Sequence, residues 1–221
     1  MKVNIQVPTK LSDISLNDYQ KYLRIVEVNK DDENSEVFLQ QKMLEIFCGL
    51  PFSDAIKYRM QDINQATSLI LEALNEQPDL VTSFKIGDTK FGFVPNLEDI
   101  SFGEYIDIDT YMGDWDNMHK LMAVLYRPIV NQIKDQYLIE EYKGDNYHEA
   151  MMHTPMDAVV SSLLFFYRLE KELVKCLTDY LEKVGEIAYQ QSQTLTHDMA
   201  GINQSIRLVE ETLPNLRKSQ D

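Results

Sequence analysis

Two groups of side chains have types and spacings that invite chemistry. His148 and His153 bracket a glutamate in the run His-Glu-Ala-Met-Met-His, the composition of a zinc-protease helix. Zinc held on one helical face needs histidines four apart, so that both imidazoles stack on one side with the glutamate beside the bound water. Here they stand five apart and Pro155 follows at once. That pattern reads as a polar loop entering a helix. Asp107, Asp109, Asp114 and Asp116 invite calcium instead. A loop of the EF type needs oxygen ligands at its first, third and fifth positions and glycine at the sixth. Counted from Asp107, Tyr111 stands fifth and Met112 sixth. Ile106, Ile108 and Met112 interleave with the acids, as in a partly buried helix or turn whose carboxylates cap helix ends and stay wet.

Other chemistries lack their residues. There is no GxGxxG or GxxxxGK[ST] phosphate loop, no GxSxG elbow and no CxxC pair. His119 and His197 have no nucleophile beside them in sequence, and Glu140 and Glu141 point to opposite faces of an expected strand. The sequence therefore assigns no catalytic residue, no metal ligand and no cofactor, and the expectation is a protein that is not an enzyme.

Residues 91–119 do stand out. They carry seven acids, no lysine or arginine, many aromatics and the sole tryptophan, Trp115. Aromatics supply burial while the acids remain hydrated, so Tyr105, Asp107, Asp109, Tyr111, Asp114 and Trp115 are candidate contact residues. Met112, Met118 and Met122 cluster nearby. Helical spacing makes them core residues, although methionine with aromatics also suits a buried interface centre. The net charge of −15 repels nucleic-acid phosphates and anionic lipid surfaces. Direct DNA binding and membrane contact are thus disfavoured, and no basic run offsets this. The apolar stretch 158–167 contains two serines and falls well short of the ~20 residues that span a bilayer. The first ten residues lack the apolar core of a signal peptide. Cys48 and Cys176 each sit in an apolar helical context, the usual setting of a small buried residue, and two cysteines fit synthesis in a reducing cytosol.

The elements that position these residues are mainly helical. Residues 2–7 alternate as an edge strand ended by Pro8. Ser15 opens a helix to about residue 28, and Ser35 caps another over 36–48, stopped by Gly49 and Pro51. A third helix is expected from Ser53 to about 75. Strands 83–86 and 90–94 flank Gly87 as a hairpin. Ser101 and Glu104 make a capping box for a short helix, and a further helix runs from about Trp115 to Tyr126, closed by Arg127-Pro128. Residues 136–142 read as a strand. Thr154 as N-cap and Pro155 at the first helical position start a long helix over 155–192, apolar nearly all round from 156 to 169.

Beyond that point only a stripe persists: Leu173, Leu177, Leu181, Val184 and Ala188. A second stripe, Ile202, Ile206, Val209, Leu213 and Leu216, follows a polar break and implies a shorter helix over 199–213. Each stripe must bury against something. The two could pair as a helical hairpin, or one could serve as an oligomerising arm on a neighbouring subunit. The expected class is mainly α with small β-hairpin elements (α+β). An N-terminal region spans 1–153, and a helical region over 154–221 packs on it as one unit.

Four stretches carry a resemblance: VPTKLSDISLNDYQKYLRI (7–25), FGFVPNLEDISFGEYIDIDTYMGDWDNMHKLMAVLYRPI (91–129), YLIEEYKGDNYHEAMMHTPMDAVVSSLLFFYRLEKEL (137–173) and IFCGLPFSDAIKYRMQDINQA (46–66). The first three resemble small virion-associated proteins of tailed bacteriophages, most like those of crAss-like phages of gut Bacteroidetes. The fourth resembles the helix-GLP-helix beginning of tail assembly chaperones. The resemblance covers most of residues 1–173 and leaves 174–221 unmatched. It implies a virion structural or cargo protein, made in the bacterial host cytoplasm and resident in the virion. Its partners would be a portal, tail ring or tail tube protein, while copies of the chain itself are the partners that the two apolar stripes suggest. The alternative it implies is a non-virion tail assembly chaperone. It implies no catalytic residue.

Overall fold

A computed structural model describes residues 6–32, 35–134, 136–144 and 146–194. It is an α+β structure in which a four-stranded antiparallel sheet accompanies the helices, so an all-α class is excluded. Contacts divide it into two units, Met1–Phe165 and Phe166–Asp221.

Helix ends follow local signals in several places. Helix α1 (Leu16–Val28) begins at Ser15, whose hydroxyl accepts the Asp18 N–H. Helix α2 (Glu36–Cys48) ends at Gly49, which takes φ +62°, a conformation that costs glycine least. Ser35 precedes α2 but makes no side-chain cap, because its own backbone is already helical. The single helix expected over 53–75 is instead α3 (Phe52–Ala55) and α4 (Met60–Leu74). A turn between them lets Ala55 and Tyr58 both reach the cluster of Met43, Leu44, Leu50 and Ile70, and Arg59 leaves it extended. Of the strand expected over 2–7, residues 2–5 lie outside the described residues, and Gln6 and Val7 have no regular structure.

The hairpin β1 (Ser83–Ile86) and β2 (Thr89–Phe93) forms with Phe84 opposite Phe91. Helix α5 (Phe102–Tyr111) carries the full capping box of Ser101 and Glu104. The helix expected from Trp115 to Tyr126 is shorter and differently ended. Trp115–Asn117 is a 3-10 turn, α6 is Met118–Leu125, and the chain passes without a loop into β3 (Tyr126–Ile133). Sheet pairing overrides the proline stop. Phe93 faces Tyr126 and Phe91 faces Pro128, while the Leu125 carbonyl accepts the Val94 N–H. Pro128 is tolerated inside the sheet beside a register shift at Ile129/Asn131. Strand β4 (Gln136–Ile139) completes the order β1-β2-β3-β4 and stops short of Glu140 and Glu141.

Helix α6 is buried almost throughout: Met118, Leu121, Met122, Ala123, Val124 and Leu125 all lie in the core with Tyr126. The Tyr126 ring packs on Phe84 and Phe93, and its hydroxyl donates to the Val81 carbonyl at 2.7 Å. A strap ties the first helix to the last. Ile14 accepts the Met156 N–H, Thr154 accepts the Leu16 N–H and Met152 accepts the Asn17 N–H, at 2.8–2.9 Å. After α7 (His148–Met151), α8 (Met156–Thr194) begins one residue later than expected. Thr154 is not its cap: the buried hydroxyl contacts the Met151 sulfur. Burial in α8 ends sooner than residue 169. Met156, Ala158, Val159, Ser161 and Ser162 are enclosed, the next four residues are half-buried and Tyr167 is exposed. The first unit therefore takes in the opening turns of α8, to Phe165. The expected helix 199–213 lies outside the described residues.

One close approach locks β4 to the hairpin. The Tyr137 ring lies over Gly92, where an added Cβ would sit 2.5 Å from it and 2.9 Å from Ile129. The ring cannot swing away freely, because its hydroxyl donates to the Thr82 and Phe93 carbonyls at 3.0 and 2.9 Å. Gly92→Ala should destabilise the fold by about 1–3 kcal/mol through overpacking. Tyr137→Phe should cost about 1 kcal/mol for the lost hydrogen bonds. Urea unfolding followed by Trp115 fluorescence measures both.

Candidate functional site

The acidic-aromatic stretch is partly folded inward. Trp115 stacks at a tilt on Tyr19, ring centroids 5.2 Å apart, and its carbonyl accepts the buried Gln20 amide at 2.6 Å. Asp114 caps the 3-10 turn, accepting the Asp116 and Asn117 N–H groups. The Asn117 side-chain amide, then those backbone donors, hold its carboxyl below the usual aspartate value. Asp116 pairs with Arg24 at 2.8 Å on the surface. Asp107 accepts the Tyr142 hydroxyl. Tyr111 is half-buried, with the Lys120 ammonium 5.4 Å from its ring centre. The four aspartates thus serve separate structural partners or face water, and no group of three or more His, Cys, Asp or Glu among the described residues is placed to hold a metal.

What remains outward on α5 is a different set from the one expected. Phe102 is 78% exposed, and Tyr105 and Ile106 join it one turn on, with Asp109 beyond them. Only Tyr105 and Asp109 of this face were expected; Phe102 and Ile106 were missed. Their i, i+4 spacing was a usable signal, masked by the assumption that apolar residues on a short helix point inward. Asp109, four residues after Tyr105 and three after Ile106, gives the apolar knob an acidic rim.

The same helix is anchored by a buried ion pair. Arg127 of β3, 8% exposed, donates to Glu104, 5% exposed, at 2.6 Å. The other Glu104 oxygen accepts the Ser101 N–H, and the Ser101 hydroxyl accepts the Glu104 N–H. Glu104 therefore caps α5 and clamps it to the sheet at once, and the Arg127 guanidinium also lies 5.8 Å over the Tyr142 ring. Beside the pair is a cleft of about 450 Å³, lined by Arg127 with Asp99, Glu104, Glu140 and Glu141. Its one hydroxyl from a serine, Ser101, is occupied as a cap, and its carboxylates outnumber its single cation. Such a lining attracts cationic groups and offers no activated nucleophile.

Further along the chain, the α8 stripe is in water. Leu173, Leu177, Leu181 and Val184 are exposed, and so is Tyr180, which the sequence reading did not select. Cys176 is exposed beside them, contrary to the expected burial. Cys48 is the sheltered thiol, and burial pushes its pKa up to about 11. Ile202, Ile206 and Val209 lie outside the described residues. A third apolar group, Phe52, Ile56 and Met60, is exposed around α3.

His119 of α6 and His148 of α7 stand edge to face, ring centroids 6.3 Å apart. Burial, then the charges of His148, Lys120 and Arg24, hold His119 below the ordinary imidazole value, against a smaller opposing pull from Asp114. His153 lies outside α7. Against family models, curated proteins and solved structures, the chain has no match.

Two outcomes follow. Glu104→Gln leaves Arg127 buried without its counter-charge and should cost about 3–5 kcal/mol, whereas adding Arg127→Met should recover part of the loss; chemical denaturation of both variants measures it. For His119, the unfolded imidazole binds its proton near ~6.5 while the folded one resists. Stability should therefore fall as pH drops below that value and level off below the folded pKa. His119→Gln should flatten that part of the profile in thermal melts from pH 8 to 5.

Proposed function

We propose that the chain acts by binding other proteins rather than by turning over a substrate, as a structural or cargo protein of a tailed-bacteriophage virion. It associates with copies of itself and with a portal, tail ring or tail tube protein. It is made in the host cytoplasm and carried in the particle. The observation behind the binding role is the pair of apolar helical faces left in solvent, Phe102, Tyr105 and Ile106 on α5 and Leu173 to Val184 on α8. Side chains of this size at helical spacing are stabilised when another surface removes them from water, by roughly 25 cal/mol per Å² of apolar area. The phage assignment is supported by the three sequence stretches that resemble virion-associated proteins. The net charge of −15 supports a protein that stays free of packaged DNA.

A second reading, a tail assembly chaperone outside the virion, is favoured by one observation. The segment that resembles the chaperone beginning is also where Phe52, Ile56 and Met60 are exposed. An apolar group on a short helix and turn suits transient shielding of a partner's greasy surface.

Quantitative mass spectrometry of purified particles separates the two. A copy number fixed against the other structural proteins supports the virion role; absence from particles, with the chain abundant in the infected cell, supports the chaperone. The double change Phe102→Ser and Ile106→Ser should leave stability within about 0.5 kcal/mol, since both side chains are exposed. It should nevertheless lower incorporation into particles, measured by the same mass spectrometry.

A further inference from the structure

We propose that the exposed seam on α8 is a self-association surface, occupied by the same seam of a second copy of this chain. This rests on the binding role proposed above and names the partner for one of its faces. Leu173, Leu177, Tyr180 and Val184 step by four, three and four residues, the a/d rhythm of helices wound on one another. Tyr180 is 63% and Leu177 61% exposed, so the seam is unoccupied along its length. Leu181 broadens it on one side, which suits a bundle of more than two helices.

Charge selects the occupant. Between residues 166 and 184 the helix carries Arg168, Lys171, Lys175 and Lys183 against Glu170, Glu172, Asp179 and Glu182, a net charge of zero. The chain as a whole carries −15. Two copies meeting through any surface of average charge repel, and two copies meeting here do not. The α5 knob is the opposite case: its acidic rim disfavours a second copy and leaves it for a partner of basic character.

The chain's own later stripe, which carries Ile206 and Val209, is the competing occupant.

The test uses the full chain in analytical ultracentrifugation at tens of micromolar. The unmodified protein should sediment as an oligomer. Leu177→Glu with Leu181→Glu keeps good helix formers and adds like charges across the seam, and should sediment as a monomer with unchanged far-UV circular dichroism. Ile206→Glu with Val209→Glu should remain an oligomer. A monomeric unmodified protein overturns the proposal, as does an oligomer that survives the first pair of changes or is lost with the second. Should the first pair unfold the helix, disulfide trapping decides. Leu173→Cys and Tyr180→Cys proteins, each with Cys48→Ser and Cys176→Ser, are mixed and oxidised. Covalent pairs support the seam in either helix direction, and their absence sinks it. Presence in particles is independent of this result: a chain found in the virion yet monomeric here keeps the broader reading and loses this one.

Discussion

The structure depends on the burial of one short helix. Helix α6 has so little polar surface that it is stable only when enclosed, and it passes into β3 with no intervening loop. Sheet and helices therefore share a single rigid segment from Met118 onward. What surrounds it is set by that continuity. Pro128 must sit inside the sheet, the register must shift after Ile129, and Tyr137 must cross the strand beside β3 at a glycine. The Glu104–Arg127 pair lies at the same junction and decides where α5 begins. The Glu104 carboxylate serves both the Arg127 guanidinium and the helix cap, although the buried Arg127 Nε has no hydrogen-bond partner, and removing either group would strand the other.

Charge is distributed unevenly around this centre. The acid surplus gathers on the stretch that holds α5, where several carboxylates are used locally as caps and hydrogen-bond acceptors. Between residues 166 and 184, α8 is balanced in sign. Uniform negative charge opposes every contact between like copies, and such a division relieves that repulsion on one surface. Among the described residues no helix is long and apolar enough to cross a membrane, so the exposed apolar faces are not parts of a helical span.

Much of the fold was legible where local chemistry decides. Ser15, Gly49 and the Ser101–Glu104 box mark helix ends that the chain uses, because capping involves residues three or four apart. Legibility failed where distant pairing decides. Nothing near Tyr126–Ile133 announces a strand: the helical pattern runs into it and a proline interrupts it, and only β2 and β4 on either side make it one. The candidate contact residues divide in the same way. The α8 stripe was readable from period alone. On α5 the aromatics and acids were noticed, but their inward or outward direction depends on Arg127 and Tyr142 from the sheet and the segment after it. Asp107 and Tyr111 therefore turned out to be half-buried while Phe102 and Ile106 face water.

The strap between residues 14–17 and 152–156 has a consequence for biosynthesis. Ile14 and Leu16 are among the most enclosed side chains, yet their backbone partners Met156 and Thr154 are translated well over a hundred residues later. At roughly 5–20 residues per second, the ribosome takes on the order of 10–30 s to deliver them. During that interval the nascent amino-terminal segment presents its aliphatic residues without cover, and the first unit closes only as the start of its final helix leaves the exit tunnel.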